Sequence, residues 1–397
     1  MSAIVHNKQG LKVLVTGSVL QLFLGIIYVW SVFVLPVSEV YEWDIAGVKL
    51  VTSFMLSFFV VGILIGGKLL PKTGAEKVVL AGGLMLAAGM FTTAFLPASL
   101  ARLMYLTYGV IGGFGVGAGY NAIISAAQKW FPQNRGFATG ISVCAFGFST
   151  VVFAPLVEAL IRQFGLRTTF MILAGTFLII VLAFFRFIRL PDESSPAGAP
   201  SAALLAKKQY TMTETVKTKE FYSITCSLML ATAAFFILNP SFKTFAVERG
   251  LSGSFGTIIV MMTGIANALG RLGTPLLSDK IGREKAALTI ILATALCALL
   301  LCFAEGFLFM ATIAVIAFCY GGYSGIYPVL TADYFGIKNV GSNYGAVMVG
   351  FALSALSFPI VIGMIGNNTV KFIVLAALAA LGAVLVLLLV AAKKVKT

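Results

Sequence analysis

Apolar stretches of roughly 18–25 residues recur along the whole chain, near 12–36, 47–70, 77–97, 101–128, 136–160, 167–189, 221–246, 254–277, 285–304, 306–331, 341–365 and 369–392. Each is long enough to cross about 30 Å of hydrocarbon. Inside lipid no water pairs with an exposed N–H or C=O, so only helices and closed barrels span a bilayer. These runs are too long and too evenly apolar for barrel strands. The expected fold is an all-α membrane protein with twelve transmembrane helices. The first run follows Lys8 and Lys12, as in a signal peptide. It is too long for such a segment and lacks a small-residue cleavage site, so it reads as the first span.

Residues 190–220 break the pattern, being rich in Pro, Ser and charge. They divide the chain into an N-terminal six-helix bundle at 1–189, a cytoplasmic linker at 190–220 and a C-terminal six-helix bundle at 221–397. With both termini on the linker side, 20 of the 28 Lys and Arg residues fall on that side and 7 on the other. Positively charged loops stay inside. The expectation is a multi-pass protein of the cell (inner) membrane with both termini cytoplasmic. The same sorting accounts for the net charge of +14 without a nucleic-acid partner. One cation, Arg271, belongs to neither side.

Several function classes are excluded early. The five cysteines, Cys144, Cys226, Cys297, Cys302 and Cys319, show no metal spacing and sit in apolar runs, where Cys acts as a small hydrophobe. The only histidine, His6, lies in the N-terminal tail. No catalytic residue, metal site or cofactor is expected, and the chain is not read as an enzyme. A channel would carry rings of charge or a filter motif, and neither is evident.

The two sets of six spans resemble each other weakly. LLPKTGAEK at 69–77 matches LSDKIGREK at 277–285, each after the second span of its set. WFPQNRGFATG at 130–140 matches YFGIKNVGSNYG at 334–345, each after the fourth. Repeated bundles joined by a linker describe a two-half transporter with its site at the midplane between them. GGFGVGAG at 112–119 spaces glycines four apart, which lets helix backbones approach closely. Packing alone explains that spacing; sliding of the helices during transport is the functional reading.

These residues carry a resemblance. YVWSVF at 28–33, AGYNA and KWFPQNRG within 118–136, GRLGTPLLSDKIGR at 270–283 and NYG at 343–345 resemble the major facilitator superfamily, and within it the oxalate/formate antiporter family. The similarity covers essentially the whole chain. It implies the major facilitator fold, alternating access and a small organic anion as cargo. It also implies that Asp279, Arg283 and Arg135 serve the loop motif that gates the inner face. Two departures stand out. Pro71 and Glu76 replace the motif's usual acidic and basic residues in the first loop. Phe351 stands where the family's oxalate carrier has a lysine, eight residues after the Asn of NYG.

Arg271 is the candidate at the centre. It precedes Asp279 by eight residues, about 12 Å inward along a helix. A cation there costs about 2.5–3.5 kcal/mol on insertion scales. No acidic residue lies deep in a span, since Glu158 and Glu305 fall near span ends. The bland reading is that Arg271 snorkels to the surface or caps carbonyls. The functional reading is that its partner arrives as substrate, because guanidinium offers a planar fork to a carboxylate. The family's substrate arginine falls on this position.

One Arg neutralises one carboxylate. Oxalate would bring a second charge facing Phe351, and an unpaired buried charge is costly. The expected cargo is a monocarboxylate such as lactate, pyruvate or formate. An oxalate/formate exchanger is the runner-up, and a ligand-binding sensor on a transporter fold is a third reading. Tyr28, Tyr120 and Tyr320 match cavity positions of the family, though each would serve equally for packing. Asn267, one turn before Arg271, either bonds to the ligand or orients the guanidinium. Ser324 and Phe146 replace tyrosines of the oxalate carrier, making the pocket roomier or less polar. Antiport and proton-linked transport both remain open, since no membrane-embedded Asp, Glu or His is evident. The expected partners are a small carboxylate anion, protons as a second candidate, and the lipid bilayer; a monomer is expected.

Overall fold

The computed structural model describes residues 7–191, 208–239 and 253–396. His6, linker residues 192–207, the end of the seventh expected span and the cations Lys243 and Arg249 lie outside the described residues. The described chain is helical, with no strand.

Helix α1 runs from Lys8 to Tyr41, with a 3₁₀ turn at Gly25–Val29 between two α-helical arms. Then come α2 (Ile45–Thr73), α3 (Ala75–Ala94) and α4, which enters through a 3₁₀ segment at Ala98–Leu103 and a π-helical turn at Tyr105–Gly112 before Gly113–Trp130. The run Arg135–Phe184 turns at Gly165, whose φ of 77° separates α5 (135–164) from α6 (166–184). The second set comprises α7 (Lys219–Leu238), α8 (Gly253–Ile281), α9 (Arg283–Leu300), α10 (Gly306–Phe335), α11 (Val340–Gly363) and α12 (Asn368–Lys396). Among the described residues, nine helical stretches are long and apolar enough to cross a membrane by themselves. One of them, Arg135–Phe187, contains both α5 and α6. With α8 and α9 the number reaches the twelve expected.

Helices overrun several expected boundaries. α8 continues to Ile281 and α10 to Phe335. Hydropathy marks where lipid ends, whereas the backbone ladder continues until a residue stops it. That residue is glycine in both loops of the first repeat: Gly74 at φ 84° ends α2 and Gly282 at φ 96° ends α8. Side chains rarely adopt such angles. The starts are equally local. Asp44 accepts the Gly47 N–H at 2.6 Å to open α2, and Thr218 accepts the Phe221 N–H at 3.2 Å to open α7.

The glycine run of α4 forms a packing seam. A methyl group on Gly117 would lie 1.8 Å from the Phe59 carbonyl of α2, so α2 and α4 touch backbone to backbone. Gly117→Val is therefore expected to abolish the monodisperse peak of the protein in detergent chromatography. A normal peak would mean that α4 shifts to accommodate the side chain.

The two sets of helices meet along α5 with α8 and α2 with α11. These pairs are equivalent under the internal repeat: the fifth helix of one set packs on the second of the other. The described end of the linker is tied to the second set. The Tyr210 N–H donates to Phe335 O at 3.0 Å, and Tyr210 O accepts from Asn339 and Asn343 at 3.0 and 3.1 Å. Gln209 Oε1 accepts the Lys338 N–H at 3.0 Å.

Candidate functional site

Arg271 lies midway along α8, only 1% exposed. It does not reach the helix end, as snorkelling would require. Gly147 of α5 makes room for it: a Cβ there would stand 2.8 Å from Arg271 Cδ and 2.9 Å from Nε. Nε donates to Asn267 Oδ1 at 2.8 Å, and Nη2 donates to the Tyr28 hydroxyl at 3.0 Å. That hydroxyl is 3.2 Å from the Tyr320 hydroxyl. The guanidinium carbon also sits 5.5 Å from the Tyr28 ring centre and 5.4 Å from that of Phe146, within cation–π range. Every protein partner described here is neutral. None of the described ion pairs includes Arg271.

Aromatic rings close the surroundings. Tyr120 packs edge-on against Phe59 at 5.2 Å and Phe146 at 4.8 Å. Its hydroxyl interacts with Tyr344 and the guanidinium. Tyr320 stacks on Phe235 at 3.7 Å. Phe351 forms an apolar wall with Phe236 at 4.9 Å, Tyr320 at 6.3 Å and Phe59 at 6.4 Å.

Arg271, Asn267, Tyr28 and Tyr320 are joined by direct hydrogen bonds, and Tyr120 joins them through its hydroxyl beside the guanidinium and its ring against Phe146. Ser324 turns back to its own helix, donating to Tyr320 O at 3.4 Å. Tyr344, Phe59 and Phe236 were not anticipated as members. Tyr344 stands inside the NYG motif, so a signal for it existed. Phe59 and Phe236 are ordinary span residues with no signal. Among the described residues no cluster of three His, Cys, Asp or Glu is placed to hold a metal.

A second constellation gathers at the end of the bundle that carries Lys68, Lys72, Lys129 and Lys280, called the basic end here. Arg135, opening α5, pairs with Asp333 near the end of α10. Arg283, opening α9, pairs with Asp333 at 3.2 Å and also with Asp279. The Asp279 carboxylate lies against Gly136, 2.6 Å from where a Cβ would be, at the start of α5. The three motif residues Arg135, Asp279 and Arg283 do come together. The hub that joins them, Asp333, was missed because it reads as a routine acid at a span end. The first-loop copy is different. Glu76 pairs with Arg189 of its own set at 3.1 Å, a bond that does not cross between sets. There α11 meets the first set through backbone acceptors instead: Asn121 Nδ2 of α4 donates to Gly341 O at 2.8 Å, and Ser342 Oγ donates to Gly67 O of α2 at 2.8 Å.

The geometry can be set beside known proteins. A sequence profile of the Major Facilitator Superfamily matches residues 15–307 and again 224–397. The oxalate:formate antiporter of Oxalobacter formigenes is 28% identical over 336 residues, covering 81% of this chain and 76% of that protein. Monocarboxylate transporter 13 of Rattus norvegicus is 25% identical over 375 residues, covering 90% of this chain and 83% of its own. The crystal structure of the human organic anion transporter MFSD10 superposes with a TM-score of 0.71 at 15% identity, covering 96% of this chain and 99% of that one, which shows the shared fold. The family consists of membrane transporters rather than enzymes, and on these matches the chain belongs to the Major Facilitator Superfamily.

Proposed function

We propose that the protein is a secondary active transporter of a small monocarboxylate such as lactate, pyruvate or formate, working by alternating access between two six-helix bundles, 1–189 and 221–397, joined by a linker at 190–220. The observation that carries this reading is Arg271, a buried guanidinium whose described protein partners are all neutral. A carboxylate supplies the missing charge and matches the guanidinium fork. Tyr28, Tyr120, Tyr320 and Asn267 line the same place and offer hydroxyl and amide groups to the anion. The basic end is assigned to the cytoplasm, with Arg135, Asp279 and Arg283 as its gate. The relatives named for monocarboxylates and for oxalate and formate agree with an organic anion. Uptake of labelled lactate, pyruvate and formate into proteoliposomes, against oxalate as competitor, tests the reading. Transport of none of them would end it.

The oxalate:formate relative favours a second reading, an oxalate/formate exchanger. Phe351 argues against it. The apolar wall that Phe351 builds with Phe59 and Phe236 gives a second carboxylate no counter-charge. Phe351→Lys is therefore expected to improve competition by oxalate about tenfold or more relative to lactate. Unchanged selectivity would show that this wall does not set the number of charges carried.

A further inference from the structure

The bond between Arg271 and Tyr28 crosses from one set of helices to the other: Arg271 belongs to α8 and Tyr28 to α1. Tyr28 sits in the 3₁₀ turn Gly25–Val29 that interrupts α1. Short 3₁₀ stretches inside longer helices often mark functional positions. The turn is pinned against α5, since a Cβ on Gly25 would lie 2.2 Å from the Phe146 carbonyl. The phenol is further positioned by the edge-on contact of its ring with Phe146 at 5.6 Å and by the Tyr320 hydroxyl at 3.2 Å. When Tyr28 accepts from Arg271, its own proton is free to go to Tyr320, which leaves an oriented oxygen facing the guanidinium. Phe146, Phe59 and Phe351 supply rings without hydroxyls to this cage, beside Tyr120 and Tyr320. Beyond the cation–π contact of its ring, Tyr28 adds a hydroxyl bonded to the guanidinium.

A bare guanidinium is costly to enclose in a low-dielectric interior. A carboxylate cargo removes that cost on the loaded leg of a transport cycle. The Tyr28 oxygen reduces it when cargo is absent. We infer that Tyr28 is a positioning residue for the unloaded leg: by offering Arg271 a neutral acceptor from the opposite set of helices, it lets the bundle close and return without cargo. Net movement of the anion then occurs alongside exchange. This inference rests on the monocarboxylate reading above.

The test compares wild type and Tyr28→Phe in proteoliposomes, using whichever of labelled lactate, pyruvate or formate the wild type exchanges fastest. Two rates are measured on each preparation: exchange against the same anion inside, and net efflux into anion-free buffer with potassium and valinomycin present. Wild type is expected to show both. Tyr28→Phe keeps the ring and removes the oxygen, so the ratio of net efflux to exchange is expected to fall about tenfold or more. A purely structural role would lower both rates together and leave the ratio unchanged, which would overturn the inference. A wild type that exchanges but shows no net efflux would overturn it as well, independently of how the variant folds, and would leave the monocarboxylate reading standing. A wild type with neither flux for any of the three anions would remove the monocarboxylate reading, and this inference with it.

Discussion

Arg271→Ala is expected to reduce monocarboxylate uptake by at least about 100-fold at low substrate, because two charge-assisted hydrogen bonds disappear together. Arg271→Lys keeps the charge but loses the planar fork and the Nε donor that holds Asn267. It is expected to lose about tenfold or more, since lysine acts as a point charge where arginine acts as a bidentate clamp. Stability should move the opposite way. Burying a cation among neutral partners is unfavourable, and replacing it with an apolar side chain of similar length relieves the desolvation. Arg271→Met is therefore expected to unfold in detergent at the same temperature as wild type or higher, while transporting nothing. That combination separates a binding residue from a structural one. If Arg271→Met were markedly less stable and Arg271→Ala still transported, the guanidinium would belong to the scaffold.

The second large effect is expected at Asp333, which holds Arg135 and Arg283 at once across the two sets of helices. Arg135 is buried, and its Nη1 finds no partner among the described residues, so Asp333 is the acid that pairs with it directly. Removing one member of a buried pair costs about 3–5 kcal/mol. The Asp333 side chain is 25% exposed, so solvent screens part of this, and about 2 kcal/mol is the expected effect of Asp333→Asn. That corresponds to a shift of roughly 30-fold in the equilibrium between forms closed and open at the basic end. A cysteine at Ser125, buried beside Gly341, reports the shift. Its labelling by a polar maleimide is expected to speed up in the Asp333→Asn background. A labelling rate equal to that of the parent would show that the cluster does not hold this end closed. The double variant Arg135→Ala with Asp333→Ala should be milder than the sum of its parts, because it leaves a smaller uncompensated charge.

Local features of the fold were legible in sequence. Apolar length marked the spans, and the glycine common to 69–77 and 277–285 marked two turns that share a left-handed backbone. The four-residue spacing of Gly113 and Gly117 marked a seam that the α2 backbone fills. The site was legible where a residue violated a rule: a cation inside an apolar span demanded an explanation, and Arg271 supplied the centre. Asp333 violated nothing. Its importance comes from Arg135, 198 residues away, and from packing between sets that no local pattern encodes. Tyr344 illustrates an intermediate case, being part of a motif whose marker was visible but whose side-chain direction was not. Phe351 was noticed only as a departure from a resemblance, and its contact with Phe59 and Phe236 gives that departure a physical meaning.

The neutrality of Arg271's protein partners has an electrical consequence. A site that is cationic alone and neutral with one carboxylate carries no net charge through the membrane field when loaded, and one positive charge when not. Each elementary charge moved through the full field is worth about 2.3 kcal/mol per 100 mV. Voltage would then leave the loaded step nearly untouched and act on the return, holding an unloaded site toward whichever side is negative.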